Sequence, residues 1–226
     1  MYKDQSARFL IKLLIPSLVI IWTGSAVADA VPYDIFGNIH VSLNSQDSVG
    51  NPEFTSNTST LGIKGARKLP DHGLKLMFKA EWQYETTERV QEKSLVDRDQ
   101  WVGVKGGFGT VLVGTATSNY KKTSSKVDPL WRTQLEGRSS FMQTSSRTLA
   151  AGAGIDRGRL TNSVNYKTPK MSGFQVAFNT TFSGADDEST GIGLRHSTKT
   201  TFFFVDMFSD GDVAGQSETA TKVVAS

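Results

Sequence analysis

From Tyr33 the odd positions are apolar or small (Tyr33, Ile35, Gly37, Ile39, Val41, Leu43) and the even ones, Phe36 excepted, polar (Asp34, Asn38, His40, Ser42, Asn44). A period of two predicts a strand with one greasy face. After Gly73 the pattern returns in the other parity. Leu74, Leu76, Phe78, Ala80, Trp82 and Tyr84 alternate with Lys75, Met77, Lys79, Glu81, Gln83 and Glu85, and Met77 alone breaks the polar face. Further runs at 60–68, 98–105, 110–117, 159–168, 174–183, 191–196 and 199–208 bring the count to about nine candidate strands. Helical spacing is nowhere sustained.

Several runs approach ten residues, about what a tilted strand needs to cross a bilayer and longer than the mode for soluble sheets. The connections alternate as well. Long polar segments at 45–59, 86–97, 118–158 and 184–190 are separated by tight turns at 70–73, 106–109, 169–173 and 197–198. Long loops on one side and short turns on the other are the arrangement of an antiparallel transmembrane β-barrel. Trp82 with Tyr84, Trp101, Tyr166 and Phe208 lie near strand ends, as interfacial aromatic girdles do. A soluble β-sandwich also alternates polar and apolar faces, and stays open on patterning alone.

Composition changes the picture little. With 226 residues, 38% hydrophobic and 21% charged, the chain is long enough for one sizeable domain. The net charge of +3 comes from basic residues scattered among acids, which gives no electrostatic footprint for nucleic acid. There is no cysteine, so disulfides and thiolate metal sites are excluded. The N-terminus is more informative. Lys3, Arg8 and Lys12 precede the apolar run 13–21, and the small-residue stretch 24–30 follows. That order predicts a secretory signal peptide over residues 1–30, cleaved after Ala28 or Ala30. The apolar run contains Pro16 and falls short of the roughly 20 residues of a spanning helix.

Three segments resemble the general Gram-negative bacterial outer-membrane porin family: Thr60-Leu61-Gly62-Ile63-Lys64-Gly65 followed by residues 73–81; residues 98–114, from Arg98-Asp99-Gln100-Trp101 through Gly106-Gly107-Phe108-Gly109; and Asn162 to Pro169 with Gly173-Phe174-Gln175-Val176. The resemblance covers roughly residues 33–183. It implies an all-β fold, an antiparallel barrel of about sixteen strands of which about nine are present here. It also implies a homotrimer in the outer membrane, in contact with lipid and lipopolysaccharide, that passes small hydrophilic solutes and ions through a water-filled lumen narrowed by the third loop.

In this chain that loop is 118–158, about forty residues and far beyond ordinary connection lengths. It carries Asp128, Glu136 and Asp156 against Arg132, Arg138, Arg147, Arg157, Lys121, Lys122 and Lys126. If Leu61 and Ile63 face lipid, then Gly62 and Lys64 face the lumen, together with Lys75, Lys79, Glu81 and Glu85. The same parity turns Arg98 and Gln100 inward and Trp101 toward lipid. The candidate constriction residues are therefore Lys64, Lys75, Lys79, Glu81, Arg98, Asp128 and Glu136. Thr60 stands where many relatives carry an arginine, which weakens the expected basic ladder by one charge. The balance of wall and loop predicts a weak anion preference.

Nine strands leave the last one ending outside, and residues 209–226 read as a flexible tail of Gly, Ser, Asp, Thr and Ala. A truncated barrel is the expectation, because an open sheet edge in lipid leaves backbone groups unpaired at several kcal/mol each. His40, His72 and His196 lie on separate strands or turns without metal-ligand spacing, so neither a metal nor another cofactor is expected. No catalytic residues stand out. The rival reading is a non-conducting truncated porin or a surface-exposed, adhesin-like β protein with Ser/Thr-rich acidic loops.

Overall fold

A computed structural model describes residues 31–45, 51–87, 95–133, 158–182, 189–213 and 216–225. Ten strands form one sheet, antiparallel throughout: β1 (Tyr33–Asn38), β4 (Thr60–Leu69), β5 (Leu74–Tyr84), β6 (Leu95–Gly106), β7 (Gly109–Thr117), β8 (Arg159–Lys167), β9 (Phe174–Thr181), β10 (Thr190–Ser197), β11 (Phe202–Val213) and β12 (Gln216–Ala225). The order follows the chain, except that β2 (Val41–Asn44) and β3 (Glu53–Ser56) pair separately between β1 and β4. A 3-10 turn at Pro70–His72 joins β4 to β5, closed by Gly73. Among the described residues β1 and β12 are the edges of the sheet. The predicted signal peptide lies outside the described residues.

The expectation of nine strands is corrected in two places. The first predicted strand breaks at His40, whose N–H is taken by Ser59 Oγ at 2.9 Å and whose carbonyl accepts from Asn57 N at 2.8 Å. With those groups diverted from the ladder, 41–44 turns away to pair with 53–56. The predicted flexible tail is also strand: β11 runs to Val213 and β12 follows, with Asp206 opposite Lys222 and Val205 opposite Val223. Its small polar residues do not disfavour a strand that draws its backbone pairing from β11 and is anchored on the polar face by the buried Lys222.

The register sorts every strand into two faces. One bears Ile35, Leu61, Phe78, Val102, Val113, Val176, Phe178, Ile192, Leu194, Phe203, Met207 and Val223, and many of these are exposed, Ile35 at 73% and Val102 at 62%. Large apolar side chains left open along a whole sheet face are unfavourable in water and suited to lipid. The opposite face carries Lys64, Lys79, Glu81, Ser163, Asn165, Asn179, Asp206 and Lys222. A short helix, α1 (Asn119–Ser124), lies on that face against β9, β10 and β11. The small buried cluster Tyr120, Leu160 and Phe208 sits beneath it. Packing is thus inverted relative to a water-soluble domain: large apolar side chains are exposed, while polar ones such as Glu81, Asn179, Asp206 and Lys222 are buried.

Candidate polar lumen and its loop

A β-bulge organises the first half of the polar face. Ala80 pairs with Gln100 and Trp82 with Asp97, so the single residue Glu81 stands opposite both Arg98 and Asp99. A bulge places two residues against one and changes the parity beyond it. Arg98 therefore reaches Glu81 (Nε to Oε1, 3.2 Å) and Gln83 (2.9 Å), while Asp99 turns to the same face. Asp99 accepts from Lys79 Nζ at 3.1 Å, from Arg159 Nε at 2.9 Å and from the Thr117 hydroxyl at 2.7 Å. Lys79 also pairs with Glu81. Three cations, Lys79, Arg98 and Arg159, thus share two carboxylates, Glu81 and Asp99, across β5, β6 and β8. Each charge holds its neighbour in place, so the wall is stiff and carries a net positive charge.

The bulge also corrects the placement of Trp101 and Gln100. Parity carried unbroken from Arg98 sends Gln100 inward and Trp101 to lipid. The register instead sets Trp101 opposite Lys79 and opposite Gly114, with Gln100 opposite Ala80 on the apolar face. Gly114 takes φ +128° at a second irregularity, and a Cβ there would come within 3.0 Å of the Trp101 Cα. Only glycine meets both demands. Trp101 lines an inner cavity of about 370 Å³ with Asp34, Lys64, Lys75 and Met77. Phe36 lies nearby on the same face, with Lys64 Nζ at 5.3 Å and Lys79 Nζ at 5.5 Å from its ring centre, within cation–π range.

The loop after β7 supplies the second half. Ser118 caps α1 by accepting from Lys121 N at 3.1 Å. Lys222 of β12 donates to the Tyr120 carbonyl and to Ser124 Oγ (2.7 Å), with its ammonium 4.1 Å from the Tyr120 ring centre. Asp206, fully buried, accepts from the Thr123 hydroxyl and faces Arg195 at 3.7 Å. Arg195 in turn donates to the Asn119 carbonyl at 3.1 Å. Room for this clamp comes from Gly193, where a Cβ would lie 1.9 Å from Asp206 Oδ1. Burial and the Asp206 carboxylate both hold the Tyr120 phenol above its ordinary pKa.

Farther along, the loop meets the other side of the sheet. Arg132, at φ +69°, donates through Nη2 to the Thr58 carbonyl (2.8 Å), to Asn38 Oδ1 (3.2 Å) and to the Thr60 hydroxyl (3.2 Å). The loop thus touches β9 to β12 at one end and β1 and β4 at the other, crossing the polar face between them.

Of the residues singled out by sequence, Lys64, Lys75, Lys79, Glu81 and Arg98 all fall on the polar face. Asp128 Oδ1 accepts from Leu130 N at 2.9 Å within the loop's own turn. Glu136 lies outside the described residues. Asp99, Arg159, Arg195, Asp206 and Lys222 were missed. The bulge hid the first, and the segment read as a tail hid the last. A lone charge inside the apolar run Phe202-Phe203-Phe204-Val205-Asp206 was the available signal for Asp206.

A family model described as Gram-negative porin matches residues 17–222. The major outer membrane protein P.IB of Neisseria gonorrhoeae is 29% identical over 147 residues, which are 61% of this chain and 37% of that protein. Among solved structures, an anion-selective porin from Comamonas acidovorans superposes with a TM-score of 0.66 at 19% identity, over 86% of this chain and 62% of its own. In-vitro folded OmpT of Vibrio cholerae, in its trimer form, gives 0.57 at 16% identity, over 87% of this chain and 58% of its own. The chain spans under two thirds of the length of each of these proteins, and the structural likenesses at this identity concern the fold.

Proposed function

We propose that this chain, which belongs to the Gram-negative porin family and resides in the outer membrane, lines a water-filled channel for passive diffusion of small hydrophilic solutes and ions, with a weak preference for anions. The observation that carries the reading is the separation of faces: a predominantly apolar surface on one side, and on the other a charged wall crossed by a loop. Such a face cannot lie in hydrocarbon without losing several kcal/mol per uncompensated polar group, so water is its natural medium.

A channel of this kind does no bond chemistry. Width and the local field decide what passes. The loop narrows the path, and the wall network of three cations and two carboxylates, with Arg132 at its margin, biases the field toward anions. The description of the Comamonas acidovorans protein as anion-selective agrees in sign. The proposed mature form follows removal of residues 1–30 and is a homotrimer in contact with lipid and lipopolysaccharide. Export by a cleaved leader suits a protein whose apolar strands would aggregate before reaching a membrane.

Planar-bilayer recording of the refolded mature chain tests the channel. Discrete conductance steps, with a reversal potential under a KCl gradient on the anion side, are expected. Absence of steps overturns the channel and favours a second reading, that of a non-conducting surface protein. Among the described residues β1 and β12 are the sheet edges, and this is the specific observation behind that alternative, because edges in lipid must be paired for a pore to seal.

A further inference from the structure

Four lysines stand in one cross-strand row on the polar face. Lys68 of β4 is opposite Lys75 of β5, Lys75 opposite Lys105 of β6, Lys105 opposite Thr110 of β7, and Thr110 opposite Lys167 of β8. Neighbouring strands lie only about 4.7–4.9 Å apart, and like charges directly opposite one another destabilise a sheet. Lys68, Lys75 and Lys105 have no carboxylate opposite them, and among the described residues none of the four lysines forms a salt bridge; Lys167, at the end of the row, is half-buried beside Lys122 of the loop. The contrast with the next charges along the same strands is sharp, for there Lys79, Arg98 and Arg159 are all matched to Glu81 or Asp99.

All four lysines sit at the end of the sheet where the strands are joined by short turns. Lys68 precedes Pro70–His72, Lys105 precedes the Gly106–Gly109 turn, and Lys167 precedes Pro169. In bacterial barrels the short turns face the periplasm. A cavity of about 410 Å³ opens at this rim, lined by Lys68, Lys75 and Lys105 together with the apolar Leu69, Pro70 and Leu74, and Lys75 also lines the inner cavity that holds Lys64 and Trp101.

We propose that the lysine row is a binding track for small oxyanions of the phosphate class at the periplasmic rim of the lumen. The proposal rests on the reading of the polar face as water-filled. An anion carrying two or more negative charges spans adjacent ammonium groups and removes the repulsion that the bare row carries. A singly charged anion neutralises only one site.

Inorganic pyrophosphate titrated calorimetrically into the refolded full chain, in zwitterionic detergent at low salt, tests the site. Binding is expected to weaken about tenfold or more in Lys75→Gln/Lys105→Gln, as loss of charge-assisted hydrogen bonds implies, and hardly at all in the charge-matched control Lys170→Gln/Lys199→Gln. The thermal midpoint of the first variant should equal or exceed that of the parent, because repulsion has been removed. Equal weakening in both variants, absence of pyrophosphate binding by the parent, or a lowered midpoint in Lys75→Gln/Lys105→Gln each overturns the proposal. Bilayer conductance is a separate readout: a protein that conducts but binds no pyrophosphate fails only this site, and one that binds without conducting fails only the channel.

Discussion

Arg132 of the loop sets its Nη2 3.2 Å from the Thr60 hydroxyl of β4, so the strand position where an arginine was expected receives a guanidinium from elsewhere in the chain. The charge is restored from the loop, and the same bond ties the loop to the wall. Arg132→Ala should shift the reversal potential toward cations and increase open-channel current noise. It should also lower stability by about 1–2 kcal/mol, as loss of charged hydrogen bonds at a partly exposed site implies. A bilayer recording with unchanged selectivity and unchanged noise would remove Arg132 from the constriction.

Lys222 and Asp206 stand opposite each other and both hold α1, and the carboxylate also faces Arg195. Removing Lys222 takes away two hydrogen bonds donated to α1 and one of the two cations near the Asp206 carboxylate, at a cost of about 1–3 kcal/mol. Lys222→Met should therefore lower the urea midpoint in detergent, and Lys222→Met/Asp206→Asn should recover part of the loss. If the double variant is as unstable as the sum of the single ones, the two residues are not coupled.

Gly193 leaves room for that carboxylate, with a Cβ there 1.9 Å from Asp206 Oδ1. Gly193→Ala should cost about 1–3 kcal/mol by overpacking. The penalty should shrink in Gly193→Ala/Asp206→Ser, where the obstructing group is shortened. Equal penalties in the two backgrounds would place the strain elsewhere.

The Tyr120 phenol, buried and beside Asp206, is held above its ordinary pKa. A raised folded pKa means that the neutral phenol favours the fold. The contribution is complete below about pH 10, the unfolded value, and is lost as pH rises toward the folded one. Ultraviolet difference titration should show one tyrosine ionising later than the others, and Tyr120→Phe should abolish that late step. A Tyr120→Phe titration curve that keeps the late step would refute the assignment.

Trp101 and Trp82 should report opposite environments. Trp82 follows the apolar parity of β5, while the bulge turns Trp101 to the polar face. In liposomes, the emission lost in Trp101→Phe should be quenched by iodide, and that lost in Trp82→Phe by brominated lipid. The reverse assignment would mean that β6 keeps unbroken parity.

Alternation made most of the fold legible in the sequence. Leu61 with Ile63, and Leu74 through Tyr84, declare which face meets lipid because each strand is long and regular, and the wall lysines follow by subtraction. Irregularities were not legible. The bulge at Arg98 and Asp99 leaves no compositional trace, since both residues are polar and either parity looks acceptable. β12 was hidden because Ser, Thr and Ala do not spell a face, and its pairing with β11 is what makes it a strand. The Arg132–Thr60 contact joins residues far apart in the chain, a relationship that local patterning does not encode.

The chain has no cysteine, so single cysteines placed in turn from Leu74 to Tyr84 and tested with a membrane-impermeant, charged thiol reagent in proteoliposomes report which face of β5 meets water. Labelling is expected at Lys75, Met77, Lys79, Glu81 and Gln83, and protection at Leu74, Leu76, Phe78, Ala80, Trp82 and Tyr84, a strict period of two. Labelling without alternation, or in the opposite phase, would contradict the assignment of the charged face to water and of the apolar face to lipid.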